Sequence, residues 1–450
     1  QDIQLQEGFS VVLFETLCDW EKELKRLGAA GWRVSPVNER FDMSTSLPKY
    51  LWVPNRFLDN ELKRAFVHFN ERRIPRLCWH HTNGSDLLRA ANFHTNSDPE
   101  KEDIRAIETL LFAGHSQCVI VEATADLPSL PEIHQSYSKL WNLSLCLTDT
   151  SVAPSDEKWL SKSDDRDLNC LLASLVQILS DPYNRTIHGF QSLIQKEWVA
   201  AGHPFLQRLN VLQKNDQDES PVFFLFLDSI WQLLQQFPQS FEFTEAYLMA
   251  IYDSCFIPFS SSFLFNCQWE RSRKNQNHFL NQIYTPINGW QENLCSEILQ
   301  KGGYPIKNVG HTNLSTVWNW LLRSNTWQIA QFRNPWYNEN KLSNEGTLNK
   351  NFLFKNGDKM ENSSSEKRTL YIFSKGSLSL QSHIFPWKNG ILSKKSFHRV
   401  QALETSREER SWKAKSNGSF IYHDLLLLPS HTGTSIRLWK RCYLRGNPEV

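Results

Sequence analysis

The sequence predicts an α/β protein whose first part carries a mainly parallel sheet and whose second part is helical. Three observations support this fold class. Strand-like and helical runs alternate up to about residue 150, an order typical of parallel sheets. The segment 118–124 (CVIVEAT) is the clearest buried strand, because it is mostly β-branched and contains no breaker. From residue 170 onward, helical patterns follow one another without strands between them.

Local patterns give each element its limits. Gly28 ends the first amphipathic helix, and Pro54 ends an early strand. Ser220 and Pro221 begin a helix that is apolar nearly all round, so we expect it in a core. The predicted strands are 31–36, 49–53, 74–81, 118–124 and 143–148. The predicted helices are 17–27, 57–73, 102–112, 131–141, 170–180, 188–200, 221–237 and 244–254.

Composition excludes several classes of function. The 49 Lys and Arg balance 48 Asp and Glu, so the net charge is only +1 over 450 residues. A nucleic-acid binder or a membrane-surface protein would normally carry a basic excess. Glycine is scarce at 18 residues, and the patterns GxGxxG, GxxxxGK[ST] and GxSxG are absent. The longest apolar run, 222–227, is far shorter than the roughly 20 residues of a membrane span.

The cysteines indicate a reducing compartment, and hence the cytoplasm. There are nine, an odd number, and no two have CxxC spacing. The tightest Cys/His group is Cys78, His80 and His81. Neighbours on a strand point to opposite faces, so we interpret these histidines as structural. We therefore expect neither a metal ion nor a cofactor.

One cysteine has the spacing of a cysteine phosphatase, in which an arginine six residues later grips the phosphate. This is Cys267, with Arg273 at the correct offset. The intervening residues include no glycine, and Glu270 would repel phosphate, so the pattern favours a strand end leading into a charged loop. The acidic group Asp164, Asp165 and Asp167 lies in a polar connection, and we predict that it is solvated rather than catalytic.

Longer stretches resemble the myotubularin family. The stretch NRTIHGFQSLIQKEWVAAGHPFLQR (184–208) is similar to the one that follows the active loop in that family, and 220–248 continues the similarity. GWRVSPVNERF, SLPKYLWVP, RRIPRLCWHHTNG, SFLFNC, RNPWY and IRLWKRCYLR add to it. The resemblance implies a protein-tyrosine-phosphatase-like domain, with a central sheet flanked by helices and a helical C-terminal half. Active members remove the 3-phosphate from phosphoinositides.

The sequence departs from the family at the active loop, which reads CSDGWDRT in active members. Counting back from Ser174 places the corresponding loop at 162–169, where this chain reads KSDDRDLN. The residues of this degenerate loop are Lys162, Ser163, Asp164, Asp165, Arg166, Asp167, Leu168 and Asn169. A lysine thus stands in the cysteine position and a leucine in the arginine position, and neither can do that chemistry. The resemblance therefore implies the catalytically inactive, pseudophosphatase branch, without catalytic residues.

A second departure concerns the central sheet. In the family, a helix and a strand precede the active loop, whereas here Lys162 runs straight into Ser163. A splice form or a gene-model error would explain the loss, unless another segment takes the place of the strand. We expect a gap or shifted pairing near 118–124 and 143–148. Losing a central strand exposes backbone groups at a cost of a few kcal/mol each.

The resemblance also implies a domain organisation. Residues 1–30 would be the exit segment of a truncated PH-GRAM domain, and 31–337 the inactive phosphatase-like domain. The Asn-, Ser- and Lys-rich stretch 338–420 would form long loops or be disordered, and 421–450 would dock back on the domain.

Three functions remain open at this point. The first is an adapter or regulator of active myotubularin-family phosphatases, with peripheral membrane association through those partners and no nucleic acid. The second is a phosphoinositide 3-phosphatase that uses Cys267 or an unrecognised site. The third is a non-functional splice or gene-model product.

Overall fold

The structure of the protein is a computed structural model. It describes the residues 12–94, 101–113, 115, 117–122, 127–144, 165–210, 218–257, 262–273, 316–322, 324–337, 369–374, 391–396 and 426–444. Helices and strands alternate up to α4, and helices dominate from residue 168 to residue 337. Both halves of the predicted order are therefore confirmed.

The elements have the following bounds. The strands are β1 (Trp32–Ser35), β2 (Leu51–Pro54), β3 (Arg76–His80), β4 (Asp86–Arg89), β5 (Gln117–Glu122), β6 (Thr369–Ser374) and β7 (Ile391–Ser396). The helices are α1 (Leu17–Leu27), α2 (Asp59–Ala65), α3 (Lys101–Phe112), α4 (Leu130–Ser144), α5 (Leu168–Ser180), α6 (Ile187–Ile194), α7 (Phe205–Arg208), α8 (Val222–Gln236), α9 (Glu245–Ser254), α10 (Gln268–Ser272), α11 (Thr326–Ala330) and α12 (Lys440–Tyr443).

The strands form two sheets. β1 and β2 pair as a small antiparallel ribbon. The main sheet has the order β3-β4-β6-β5-β7, in which only β3 and β4 are antiparallel. The other three pairings are parallel, so the prediction of a mainly parallel sheet is confirmed. Ile120 of β5 lies opposite Ile372 of β6 on one side and Lys394 of β7 on the other.

The C-terminal strands correct two expectations. The stretch 338–420 was expected to be loop or disordered, and this is wrong for β6 and β7. A gap was expected beside 118–124, but β5 is paired along both edges. The alternative that another segment fills the sheet is the one observed, since β6 lies between β4 and β5 and parallel to both. The run TLYIFS suits a strand, because it is rich in β-branched and aromatic residues.

Several local limits differ from prediction. The predicted strand 143–148 is wrong at its start, because 143 and 144 end α4, and the rest lies outside the described residues. The predicted helix 57–73 is α2 followed by two 3-10 turns, in which Glu71 and Arg72 have φ of 50° and 55°. The helix 188–200 is α6 continued by a π-helical turn, Gln195–Ala200. α1 ends at Gly28 as predicted, with φ of 68°.

The main sheet separates two apolar cores. Alternate residues of a strand face opposite sides. Leu88 and Ile120 face the core built with α1, α2 and α3, whereas Val119 and Val121 face the core built with α5, α6, α8 and α9. The apolar α8 lies in the second core, as predicted, with Phe223 and Phe226 fully buried. The sheet therefore holds the helical half against the first half.

A proline in β6 tests whether this strand completes the sheet. Ile372→Pro removes a backbone N–H between two paired neighbours, and each carbonyl left without a donor costs about 1–3 kcal/mol. We expect faster amide exchange at 117–122 and a lower urea midpoint. Ile372→Val keeps the backbone and is the control. Unchanged protection of 117–122 in the proline variant would contradict the assigned pairing.

Candidate functional site

The described part of the degenerate loop, residues 165–169, forms the turn that enters α5. Lys162, Ser163 and Asp164 lie outside the described residues. The turn packs against the segment leading into β3 and against the ends of β3 and β4, which supply three arginines. The site is therefore built where the main sheet meets the start of the helical half.

Asp165 lies at the centre of these arginines. Its Oδ2 accepts hydrogen bonds from Arg73 Nε at 2.6 Å and from Arg76 Nη1 at 2.9 Å. Arg89 Nε lies 3.9 Å from Oδ1. Burial alone would raise the pKa of Asp165, but the charges of Arg76, Arg73 and Arg89 hold it well below its usual range. The carboxylate is thus charged, and it neutralises cations that no solvent reaches.

All three side-chain nitrogens of Arg73 donate hydrogen bonds. Its Nη1 donates to the carbonyl and the hydroxyl of Ser46, at 2.8 and 2.9 Å. Its Nη2 donates to the carbonyl of Ala201 at 2.7 Å. The side chain is fully buried. One guanidinium therefore links Ser46, the loop at Asp165 and the end of the π-helical turn.

A second buried pair lies on that π-helical turn. Lys196 Nζ donates to the carbonyl of Cys78 at 2.8 Å and to Oε1 of Gln177 at 2.9 Å. Glu197 Oε1 accepts from Gln177 Nε2 at 3.0 Å and lies 3.4 Å from Lys196 Nζ. Glu197 Oε2 is 3.6 Å from Arg89 Nη1, which connects this pair to the Asp165 cluster.

Asp167 forms a separate ion pair. Arg208 grips its carboxylate with both Nε and Nη2, at 3.0 and 2.7 Å. His203 Nδ1 lies 3.3 Å from Asp167 Oδ1 and 2.8 Å from the carbonyl of Arg166. Burial lowers the pKa of His203. Burial alone would raise the pKa of Asp167, but the charge of Arg208 outweighs it and keeps that pKa low. The imidazole is thus neutral and the carboxylate charged.

The prediction that the loop carboxylates are solvated is wrong for Asp165 and Asp167, each 1% exposed. Their local sequence is polar, but arginines from distant elements form ion pairs with both carboxylates. Leu168 is buried in the apolar core, and Asn169 Nδ2 donates to the carbonyl of Ala90 at 3.4 Å. Arg166 donates to two backbone carbonyls, those of Gly202 and Asn266. The described loop residues thus make their polar contacts with other parts of the same chain.

Cys267 and Arg273 do not form a phosphate loop. Cys267 precedes the short α10 and is 5% exposed, and burial raises the pKa of its thiol. Arg273 stacks on Trp269, with 3.9 Å from its Cζ to the ring centroid. Burial thus disfavours the Cys267 thiolate that a nucleophile needs, and Arg273 contacts the ring of Trp269.

The histidines near Cys78 have structural partners. Asp86 accepts from His80 Nδ1 and His115 Nε2, each at 2.6 Å, and from Trp32 Nε1 at 2.9 Å. His81 contacts Trp79 edge to face. Within the described ranges, no group of three or more His, Cys, Asp or Glu side chains could hold a metal ion. No helix in those same ranges has the length and apolar character to cross a membrane.

Sequence reasoning missed the three arginines. Arg73, Arg76 and Arg89 interrupt apolar runs, RRIPRLCWHH and DLLRAA, that otherwise predict buried strands. A basic residue inside a buried strand requires a buried acid or another anion. That requirement was the available signal, although it could not name Asp165 as the partner.

The profile of the myotubularin-like phosphatase domain matches residues 7–139 and 144–272, more than half of the chain. The chain belongs to the myotubularin family. A second profile, for the myotubularin-associated protein, matches residues 373–450. The resemblance and the fold class predicted from it are confirmed.

Individual relatives agree with this assignment. Human myotubularin-related protein 11 is 42% identical over 98% of this chain and 64% of its own length. Human myotubularin-related protein 10 is 33% identical over 97% of this chain and 58% of its own length. Zebrafish (Danio rerio) myotubularin-related protein 12 is 29% identical over 98% and 60%. The chain thus spans less than two thirds of the length of these relatives.

The alignment with human protein 11 covers 483 positions, more than the 450 residues of this chain. The relative therefore has residues at positions where this chain has none. This agrees with a loss of residues from within this chain relative to that protein.

Arg73→Met tests the buried cluster. The change leaves Asp165 with one fewer partner and Ser46 and Ala201 without a donor. Breaking a buried pair from one side costs about 3–5 kcal/mol. The neighbouring Arg72 is exposed, so Arg72→Met is the matched control and should cost less than 1 kcal/mol. Equal urea midpoints for the two variants would contradict the cluster.

Acid should destabilise the fold through Asp165 and Asp167. Their pKa values in the folded protein are lower than the roughly 3.9 of an unfolded aspartate. The stabilisation is thus fully present above pH 5 and is lost as the pH falls through about 4 and below, because only the unfolded chain takes up these protons. Urea midpoints at pH 7, 5 and 3.5 measure it. Asp167→Asn should flatten this dependence, whereas the exposed Asp42→Asn should not.

Proposed function

We propose that this chain is a non-catalytic member of the myotubularin family that acts as an adapter or regulator of active phosphoinositide 3-phosphatases. One observation carries the proposal. The described part of the loop presents carboxylates that are already bound to arginines, together with a buried Leu168, where an active phosphatase needs groups that bind a substrate phosphate. Within residues 165–169, the cation Arg166 donates to two backbone carbonyls, so this part of the loop holds the fold together and presents no free cation.

The thiols near the loop support the same proposal. Cys170 follows the loop directly, and burial raises its pKa to about 11. Its Sγ donates to the carbonyl of Arg166 at 3.1 Å. A cysteine nucleophile must be a thiolate, which this environment disfavours. The alternative, a phosphatase that uses Cys267, requires the same thiolate in a similarly buried place.

The partner role rests on the C-terminal match to the myotubularin-associated protein. The described end of that segment, 426–444, docks on α8 and α9 through Trp439, whose Nε1 donates to Glu245 at 2.9 Å. Four apolar side chains of the segment stay exposed: Leu428 at 67%, Ile436 at 59%, Leu438 at 41% and Leu426 at 37%. We propose that the contact with an active myotubularin uses these side chains, because a partner that covers exposed apolar groups removes them from water.

The proposal includes the cytoplasm as the location, with membrane association only through the partner. The cysteines in the described ranges are free thiols, in accord with a reducing compartment. We propose no cofactor, no metal ion and no nucleic acid for this function.

Co-purification with active myotubularin-family phosphatases tests the partner role. The double variant Leu428→Glu with Ile436→Glu should reduce capture at least tenfold, because it puts charge into the proposed contact. Leu58→Glu with Val67→Glu changes two equally exposed apolar residues elsewhere and is the matched control. Equal capture by both double variants would contradict the proposed contact, and no capture by the unaltered chain would contradict the adapter role.

Phosphate release from phosphatidylinositol 3-phosphate separates the adapter from an enzyme. We expect the purified full chain to release none. Release that disappears in Cys267→Ser would favour the second hypothesis with that nucleophile, and release that persists would favour an unrecognised site. A broad, non-cooperative melt of the unaltered chain would instead favour a non-functional product.

A further inference from the structure

The buried cluster around Asp165 holds more positive than negative charge. Four cations belong to it: Arg73, Arg76, Arg89 and Lys196. Within the described residues, their ion pairs are made with only two carboxylates, those of Asp165 and Glu197. All six side chains are at most 6% exposed. An unbalanced cation away from water is costly unless an anion is near.

Several donors in the cluster have no acceptor. Among the described residues, Arg76 Nη2, Arg89 Nε and Arg89 Nη1 are buried and have no hydrogen-bond partner, and the same holds for Asp165 Oδ1. Arg89 approaches its carboxylates only at 3.6 and 3.9 Å, beyond hydrogen-bond length. Buried polar atoms are normally satisfied, so this many free guanidinium donors around one point are unusual. They lie near a carboxylate whose second oxygen, Oδ1, is itself unbonded, so the two oxygens of Asp165 do not match the directions of these donors.

We propose that Arg73, Arg76 and Arg89 form a latent oxyanion site, occupied in this chain by the carboxylate of Asp165. The class of ligand is a tetrahedral oxyanion, either inorganic phosphate or a phosphate monoester. Guanidinium groups hold such anions with several parallel N–H bonds, and a phosphate has four oxygens where Asp165 has two. Asp165 is therefore an internal substitute for a ligand, and it keeps the site closed to one.

Arg73 and Arg76 have different parts in this site. Ser46 and Ala201 fix Arg73, so it points at the centre whether or not Asp165 is present. Arg76 makes its one side-chain ion pair in the described residues with Asp165, and its Nη2 is free for another oxygen. Removing the Asp165 carboxylate thus leaves an arranged set of cations rather than a disordered one.

Chemical rescue of Asp165→Ala tests the proposal with the full-length chain. The variant should melt at a lower temperature than the unaltered chain in chloride buffer. At matched ionic strength, inorganic phosphate should raise its Tm by about 3 °C or more, because a ligand stabilises the folded state that binds it. The unaltered chain, in which Asp165 fills the site, should not respond beyond the general salt effect.

Two further variants locate the response. Asp165→Ala combined with Arg76→Met removes one arm of the site and should abolish most of the phosphate-dependent shift. Asp167→Ala removes a different buried carboxylate of the same loop, paired with Arg208, and should not gain the shift. An equal shift in Asp167→Ala, or an undiminished one in the double variant, would overturn the assignment.

Glycerol 3-phosphate in place of inorganic phosphate distinguishes the sources of the anion. A shift with both indicates a site open to a phosphate carried on a larger molecule, and a shift with inorganic phosphate alone indicates an enclosed site. If Asp165→Ala fails to fold in chloride, recovery of folded protein on refolding in phosphate replaces the melting shift. No selective effect of phosphate on melting or on refolding overturns the proposal.

Discussion

The ion pairs of Asp165 are the constraint on which the rest of the site depends. The carboxylate joins a loop before α5 to Arg73 and Arg76, which are 92 and 89 residues away in the chain. Because all these groups are buried, the charge on either side cannot be satisfied by water. The start of the helical half is therefore fixed to the sheet by electrostatics as well as by apolar packing.

The sheet itself depends on a strand from far along the chain. β6 lies between β4 and β5, and α5 packs over this part of the sheet. Without β6, the facing edges of β4 and β5 would carry unpaired backbone groups next to two apolar cores. The C-terminal region therefore contributes to the central architecture as well as to the surface where Trp439 docks on the helices.

The chemistry of the loop follows from these constraints. Family membership leads one to expect a place for a phosphate, and this chain instead has carboxylates bound to arginines. The two proposals are compatible, because a site closed by its own side chain leaves a scaffold for partner contacts. They also fail separately, since capture by a partner does not depend on whether the arginines accept an oxyanion.

Elements with local signals could be predicted from the sequence alone. α1 ends at Gly28, β5 forms over an unbroken β-branched run, and the apolar α8 lies in a core, all as predicted. The family resemblance was also readable, because long matching stretches are specific. These features depend on neighbours within a few residues or on the identity of the stretch.

The burial of Asp165 and the place of β6 depend instead on contacts between distant parts of the chain. A polar run predicts a solvated loop, and an Asn- and Ser-rich stretch predicts disorder, unless distant groups intervene. Three arginines from other elements form ion pairs with Asp165 and bury it. The edges of β4 and β5 pair with residues 369–374 and hold them as β6. Buried charge pairs and parallel strand pairs join residues far apart in the chain, so no local pattern contains them.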